Sequence, residues 1–188
     1  MTDTLRPVWA ETSDLLRDYY DHEWGMPVRS ESGLLERLCL EGFQAGLSWE
    51  TVLRKRPAFR ELFCDFDPDT VAAFTDVDIE RLASDPRIIR NRRKIASAIN
   101  NAQATVALRS VGGLSAFIWS FQPAETITPL TEDDIPTQSE ESRALAAALK
   151  KRGFSFVGPT TVYAMMTSIG MVDAHLVGSP RRGSSGVF

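Results

Sequence analysis

The amino-acid sequence predicts an all-α fold, and three observations carry that prediction. Apolar residues recur at helical spacing in one segment after another, and capping residues with glycine or proline punctuation bound those segments. No stretch reads as a convincing strand. Ser32 to Gly46 carries Leu34, Leu35, Leu38, Cys39 and Ala45 on a helical period. Ser48 stands where an N-cap belongs, ahead of Trp49-Glu50-Thr51-Val52-Leu53, and Pro57 either interrupts that second helix or begins the next. Asp67-Pro68 opens another, with aspartate at the cap and proline at the first helical position. Asp76 to Ala83 is a short helix bearing Ile79 and Leu82, with Asp76 as its expected cap. Lys94 to Leu108 is long and alanine-rich, and Gly112-Gly113 then breaks the chain before a short aromatic helix, Leu114 to Phe121. A polar connector, Ala124 to Gln138, leads to a helix at Ser139 to Arg152 ended by Gly153, and to one at Pro159 to Ile169 ended by Gly170. The Gly- and Ser-rich stretch from Gly178 is expected to be a loose tail. With no internal repeat, the chain reads as one helical domain over residues 1–178 and a tail at 179–188.

Composition narrows the class. Of the 188 residues, 43% are hydrophobic and 24% charged, enough apolar content for a sizeable core and too much for global disorder. No window approaches the roughly 18 uninterrupted apolar residues of a membrane span, so no membrane partner is expected. The opening MTDTLRPVWAETSD lacks the apolar h-region of a secretory signal. Two cysteines, Cys39 and Cys64, cannot staple a fold of this size, which points to the cytoplasm. A net charge of −4 argues against a general nucleic-acid binder. Yet no acidic residue occurs from Pro86 to Ala124, while Arg87, Arg90, Arg92, Arg93, Lys94 and Arg109 all do. That asymmetry puts a local positive field on an acidic protein.

Three features could carry chemistry. Leu34, Leu38, Glu41 and Ala45 share one helical stripe, which places a carboxylate in phase with the buried face. Such a carboxylate is costly unless it is paired. Either it bonds a neighbouring arginine or backbone amides, or it waits in an apolar pocket for a ligand's amine or ring N–H. Around it stand Trp9, Tyr19, Tyr20, Trp24, Phe43 and Trp49, as core or as the flat walls a planar cationic heterocycle favours. The third feature is Asp76 to Ala107: a short helix, a compact basic turn at Asp85 to Asn91, then a long helix. This is the outline of a helix–hairpin–helix, whose N-terminal N–H groups and arginines suit a DNA phosphate. An αα-hairpin with a solvated basic rim is the alternative.

Four blocks occur in order: Tyr19-Tyr20-Asp21-His22-Glu23-Trp24-Gly25, then Leu40 to Trp49, Ile88-Ile89-Arg90-Asn91-Arg92, and Leu149 to Gly158. Together they resemble the DNA-3-methyladenine glycosylase I family of the helix–hairpin–helix glycosylase superfamily, from about Trp9 to Gly178. The resemblance implies an all-α helix–hairpin–helix glycosylase domain for base-excision repair of alkylated, double-stranded DNA. It would flip out N3-alkylated adenine, hydrolyse the N-glycosidic bond and release free 3-methyladenine, as a monomer without a cofactor. It implies Glu41 as the catalytic-site carboxylate that hydrogen-bonds the base, Trp49 as the stacking ring, and Tyr19, Trp24 and Trp9 as supporting aromatics. The segment of Gln44, Ala45, Gly46, Leu47 and Ser48 resembles the loop that enters the gap left in the duplex. Arg90, Arg92, Arg93 and Lys94 fall where the hairpin would hold phosphates.

Three departures accompany the resemblance. Zinc-containing members clamp their termini with two cysteines and two histidines, but here those positions hold Pro7, Tyr20, His175 and Ser179. One ligand of the set remains, and His22 alone could not rebuild it, so no structural zinc is expected. Arg87 stands where the hairpin usually has glycine, and Phe43 is expected to make the pocket more apolar. Asp21, Glu23 and Asp173 are the carboxylates near the pocket by pattern, with none assigned as a general base. Two other readings stay open: a damage-binding protein without turnover, and a glycosylase for a different N3-substituted purine.

Overall fold

Most of the predicted helices begin where a side chain can take up an orphaned backbone N–H. The computed structural model describes residues 5–188, so the first four residues of the expected domain lie outside it. In chain order the helices are α1 (Asp14–His22), α2 (Glu31–Gln44), α3 (Trp49–Leu62), α4 (Pro68–Ala72), α5 (Asp76–Ser84), α6 (Arg92–Leu108), α7 (Gly113–Trp119), α8 (Glu140–Lys151) and α9 (Pro159–Ser168). No strand occurs among the described residues. Ser13, Ser30, Ser48, Asp67, Asn91 and Ser139 accept from the first-turn N–H groups of their helices. Thr75, not Asp76, caps α5, in a capping box with Asp78. Pro57 lies inside α3 without ending it. Helix α1 was not foreseen, although Ser13 with Leu16, Tyr19 and Tyr20 carries the signal of a capped helix buried on one face.

Helix α2 runs through the centre. Leu34, Leu35, Leu38 and Leu40 are all at most 1% exposed, because α9, α6, α3, α7 and α4 surround it. Small residues let α6 approach closely: Ala98 and Ala102 alternate with Ile95 and Ile99 along its buried side. Helix α8 packs on α9 through Leu145 and Leu149. A second, smaller cluster of Leu16, Tyr19 and Leu53 joins α1 to α3, with Trp9, Trp24 and Trp49 packed against it.

Two ion-pair groups lock α1 and α3 to α2. Glu23 receives Arg37 and Arg56, and Glu36 receives Arg60 in a two-bond fork at 2.9 and 3.0 Å. The expected loose tail is docked instead. Arg182 donates to the carbonyls of His175 and Ile127 at 2.8 and 2.7 Å, and Gly183 N–H donates to Asp173 at 2.7 Å. Composition suggested mobility there, but backbone polar groups that meet partners are held whatever the composition.

Candidate active site

Helices α1, α2, α3 and α9 wall a cavity of about 440 Å³, within the ordinary range for a small-ligand site. Its flat walls are Trp9, Tyr19, Trp24 and Trp49, with Leu16 beneath. Trp9 stands edge-on to Trp24 at 5.6 Å, and Tyr19 lies 5.7 Å from Trp49 at a tilt of 48°. Glu41, Gln44, Ser48 and Glu50 supply the polar groups. Thr12, Ala164 and Thr167 complete the lining and were missed from sequence, although Ala164 and Thr167 mark one small-residue face of α9.

Two expected members of the aromatic set lie elsewhere. Phe43 packs into the core on Phe59 at 4.6 Å, so it does not line the cavity as expected. Successive residues on a helix point about 100° apart, and Glu41 and Phe43 therefore face different neighbours. Tyr20 is buried behind Trp24, stacked on it at 5.6 Å.

Glu41 is the unusual group. Its residue is only 6% exposed, and no hydrogen bond from the described residues reaches its carboxyl. Burial pushes its pKa up to about 8, against a smaller opposing pull from Arg37 one turn earlier. Arg37 is committed elsewhere, to Glu23 and to the Tyr19 hydroxyl. The carboxyl therefore lines an aromatic cavity with its hydrogen-bonding capacity unused. The Asp21, Glu23 and Asp173 carboxylates are each occupied, by Arg6, by Arg37 and Arg56, and by His175, and none lines the cavity. Glu50, the second cavity carboxylate, pairs with Arg54 one turn on.

The mouth is built from helix ends. The loop between α2 and α3 holds Gly46 at φ +86° with open space around it, and Leu47 is 42% exposed beside it. Ser48 caps α3 and lines the cavity together with Gln44. The hairpin α5–α6 forms as expected, but its cations are not all available. Lys94 is buried and donates to the Phe43 and Ala45 carbonyls at 2.8 and 2.7 Å, so it fastens the end of α2 and does not face solvent. Arg92 pairs with Glu80, and Arg87 with Asp85 and Glu61. Arg109 pairs with Glu31 and Asp69. Only Arg90 and Arg93 of this basic stretch are exposed without an acidic partner among the described residues. Sequence counts charges along the chain, while acidic partners arrive from other helices.

The sequence pattern of the methyladenine glycosylases matches residues 9–182. This chain belongs to the methyladenine glycosylase family. It is 45% identical over 180 residues to the DNA-3-methyladenine glycosylase of Haemophilus influenzae, covering 94% of this chain and 97% of that protein. A crystal structure of a 3-methyladenine DNA glycosylase I superposes with a TM-score of 0.90 at 43% identity, over 95% of this chain and 100% of the other. A second glycosylase I structure, in complex with 3-methyladenine, superposes with a TM-score of 0.88 at 34% identity, covering 93% and 95% of the two chains.

The zinc clamp found in some methyladenine glycosylases does not fit the residues here. Pro7 has no ligand atom, and the Tyr20 hydroxyl and Ser179 Oγ bond each other at 2.9 Å. His175 Nδ1 is engaged by Asp173 at 2.7 Å, and its Nε2 is buried without a partner among the described residues. A phenol and a serine hydroxyl are poor zinc ligands beside a single imidazole. Among the described residues no cluster of three or more His, Cys, Asp or Glu could hold a metal. In this family member the two ends of the chain meet through a hydroxyl pair instead. Gly25 makes room for the buried imidazole, because a Cβ there would collide with the His175 ring.

Proposed function

We propose that the chain excises 3-methyladenine from double-stranded DNA through the cavity around Glu41. The observation that carries this reading is a desolvated carboxyl, without a hydrogen bond from the described residues, set among Trp9, Tyr19, Trp24 and Trp49. An N3-alkylated adenine in DNA is a planar cation with an amine edge. Its ring suits Trp49 and Tyr19, and its amine suits the Glu41 oxygens.

The raised pKa adds discrimination. Near neutral pH the free enzyme holds Glu41 largely protonated, because ionisation in the cavity lacks a compensating charge. A cationic base supplies that charge, so Glu41 releases its proton to solvent as the base enters, and the carboxylate accepts the hydrogen bonds of the base. Neutral adenine supplies none, so Glu41 keeps its proton and the charge-assisted contact does not form. The alkylated nucleotide is also the more easily extruded, since damage weakens its stacking.

Alkylation makes the base a good leaving group. As the C1′–N9 bond breaks, its electron pair passes to the purine and cancels the positive charge. Water adds its oxygen to C1′ and loses a proton to solvent, leaving a hydroxyl on the sugar. The ionised Glu41 selects and positions the cationic base and is not asked to act as a strong acid; because the purine loses its charge as the bond breaks, this contact serves recognition and placement.

Gln44, Gly46, Leu47 and Ser48 are the loop we assign to the gap left in the duplex, and Arg90 and Arg93 the cations assigned to its phosphates. Action as a monomer belongs to the same proposal. Cys39 and Cys64 are both unpaired, which suits a reducing cytoplasm. No helix among the described residues is long and apolar enough to cross a membrane. The test is incubation with methylated duplex DNA and chromatography of the released bases. Release of 3-methyladenine is expected; tight binding without release would replace catalysis by damage binding, and release of another N3-substituted purine in its place would move the substrate.

A further inference from the structure

Four non-glycine residues among those described have a left-handed backbone: Cys64, Asp65, Phe66 and Phe156. A bulky side chain is strained there. At Phe66 burial offsets the strain, since the ring is fully buried and stacks on Phe63 at 5.3 Å and 3°. Phe156, at φ 56°, is 39% exposed and stacks on no other ring among the described residues, although it borders a small cavity that Phe43 also lines. Its conformation is nonetheless firmly imposed. Ser155 N–H donates to Asn101 Oδ1 at 2.8 Å, Asn101 Nδ2 donates to Ser155 O at 3.1 Å, and the Ser97 and Ser155 hydroxyls meet at 2.8 Å. Asn101 and Ser97 are buried on α6, so two interior polar side chains are committed to the residue just before Phe156. On the other side Val157 is buried and Pro159 opens α9.

The place where this strained ring is held matters. A Cβ at Gly42 would lie 3.4 Å from the Phe156 Cβ, so Phe156 stands against the last turn of α2, beside Glu41 and just ahead of the Ala45–Ser48 loop. Lys94, in the first turn of α6, holds that same loop. Helix α9, which starts just after Phe156, carries Ala164 and Thr167 into the cavity wall. The end of α2 and the starts of α6 and α9 thus converge, and Leu47 and Phe156 are two exposed apolar side chains carried there.

We propose that Phe156 is a DNA-contacting residue: a rigidly held apolar face laid on the sugars and base edges of the duplex that flanks the extruded nucleotide. The proposal rests on the reading of the chain as a DNA glycosylase. A duplex with one nucleotide extruded exposes apolar base and sugar surface beside the gap. An aromatic ring already fixed in position covers that surface without an ordering cost at binding.

Glycine is unstrained at this φ, which makes Phe156→Gly the decisive variant. Expected are a thermal midpoint equal to or above wild type, unchanged affinity for free 3-methyladenine, and roughly tenfold weaker binding to a duplex carrying a non-hydrolysable abasic-site analogue. The value of kcat/KM on methylated duplex should fall in parallel, and Phe156→Trp should restore both. Wild-type duplex affinity in Phe156→Gly overturns the proposal. A lowered midpoint with weakened free-base binding also overturns it, by making Phe156 a packing residue. Because the abasic-analogue duplex needs no turnover, the contact is read even if the wild type releases no 3-methyladenine, an outcome that would count against the glycosylase reading alone.

Discussion

At the scale of single residues, the role proposed for Glu41 sets expectations for both affinity and pH behaviour. Glu41→Gln keeps the shape, replaces one acceptor by a donor and removes the charge that favours a cation. It should weaken binding of free 3-methyladenine by about 1–3 kcal/mol, read by calorimetry. Trp49→Ala should cost a similar amount, about 1–3 kcal/mol, through lost stacking. Stability should move the other way. The folded Glu41 keeps its proton up to about pH 8, while the unfolded carboxyl releases it near 4.5. Between those values the native state binds more protons, so wild-type stability falls as pH rises through that window. Urea midpoints measured across it should show this slope shrink in Glu41→Gln, with the variant the more stable at the alkaline end. A variant that binds the base normally but unfolds more readily would make Glu41 a structural carboxylate. The spacing of Leu34, Leu38 and Glu41 announced a buried acid. That no arginine satisfies it depends on where Arg37 turns, which no spacing specifies.

Among elements, the hairpin α5–α6 separates cations that face solvent from those that hold the fold. Arg90→Ala and Arg93→Ala should weaken binding to damaged and undamaged duplex alike, each lowering the slope of log affinity against log salt by about one. Lys94→Met should leave that slope unchanged. It strands the Phe43 and Ala45 carbonyls, and should cost about 1–3 kcal/mol of stability by chemical denaturation. Excision should drop as well, because the loop that follows α2 loses its anchor. The charge count along Pro86 to Ala124 treated these cations as equals. Their difference is one of burial and of partners on α2, α3 and α5, of which α2 and α3 are far away in sequence.

For the whole molecule, the question is what joins the two ends of the chain. Tyr20 and Ser179 sit 159 positions apart and share one hydrogen bond in the interior. Purified protein should carry no stoichiometric zinc, and a chelator should leave its thermal midpoint unchanged; zinc held by His175 would overturn that assignment. Tyr20→Phe should lower stability by about 1 kcal/mol, since it removes the hydroxyl pair and leaves the buried Ser179 hydroxyl with only the Arg181 N–H. Asp173 adds an acid-sensitive point to the same region. Burial pushes its pKa up, but hydrogen bonds from the His175 ring and the His175 and Gly183 N–H groups outweigh it and hold it below the ordinary 3.8. The stability this contributes is present above that value and is lost as pH falls through the lower folded one. Release of the 179–188 segment should therefore accompany acid unfolding, visible as proteolysis near the C-terminus.

The sequence by itself determined the helices other than α1, most of their caps and the five cavity residues Trp9, Tyr19, Trp24, Glu41 and Trp49. Capping and helical periodicity are local, and the motif blocks carried the cavity residues in order. Only the tertiary structure decided that Glu41 has no partner among the described residues, that Lys94 is a buried fastener, that Phe43 turns to the core and that the C-terminal segment is docked. Each of these depends on which distant group arrives within hydrogen-bond or van der Waals reach. A one-dimensional pattern sets which residues can be buried, but not which partner meets them.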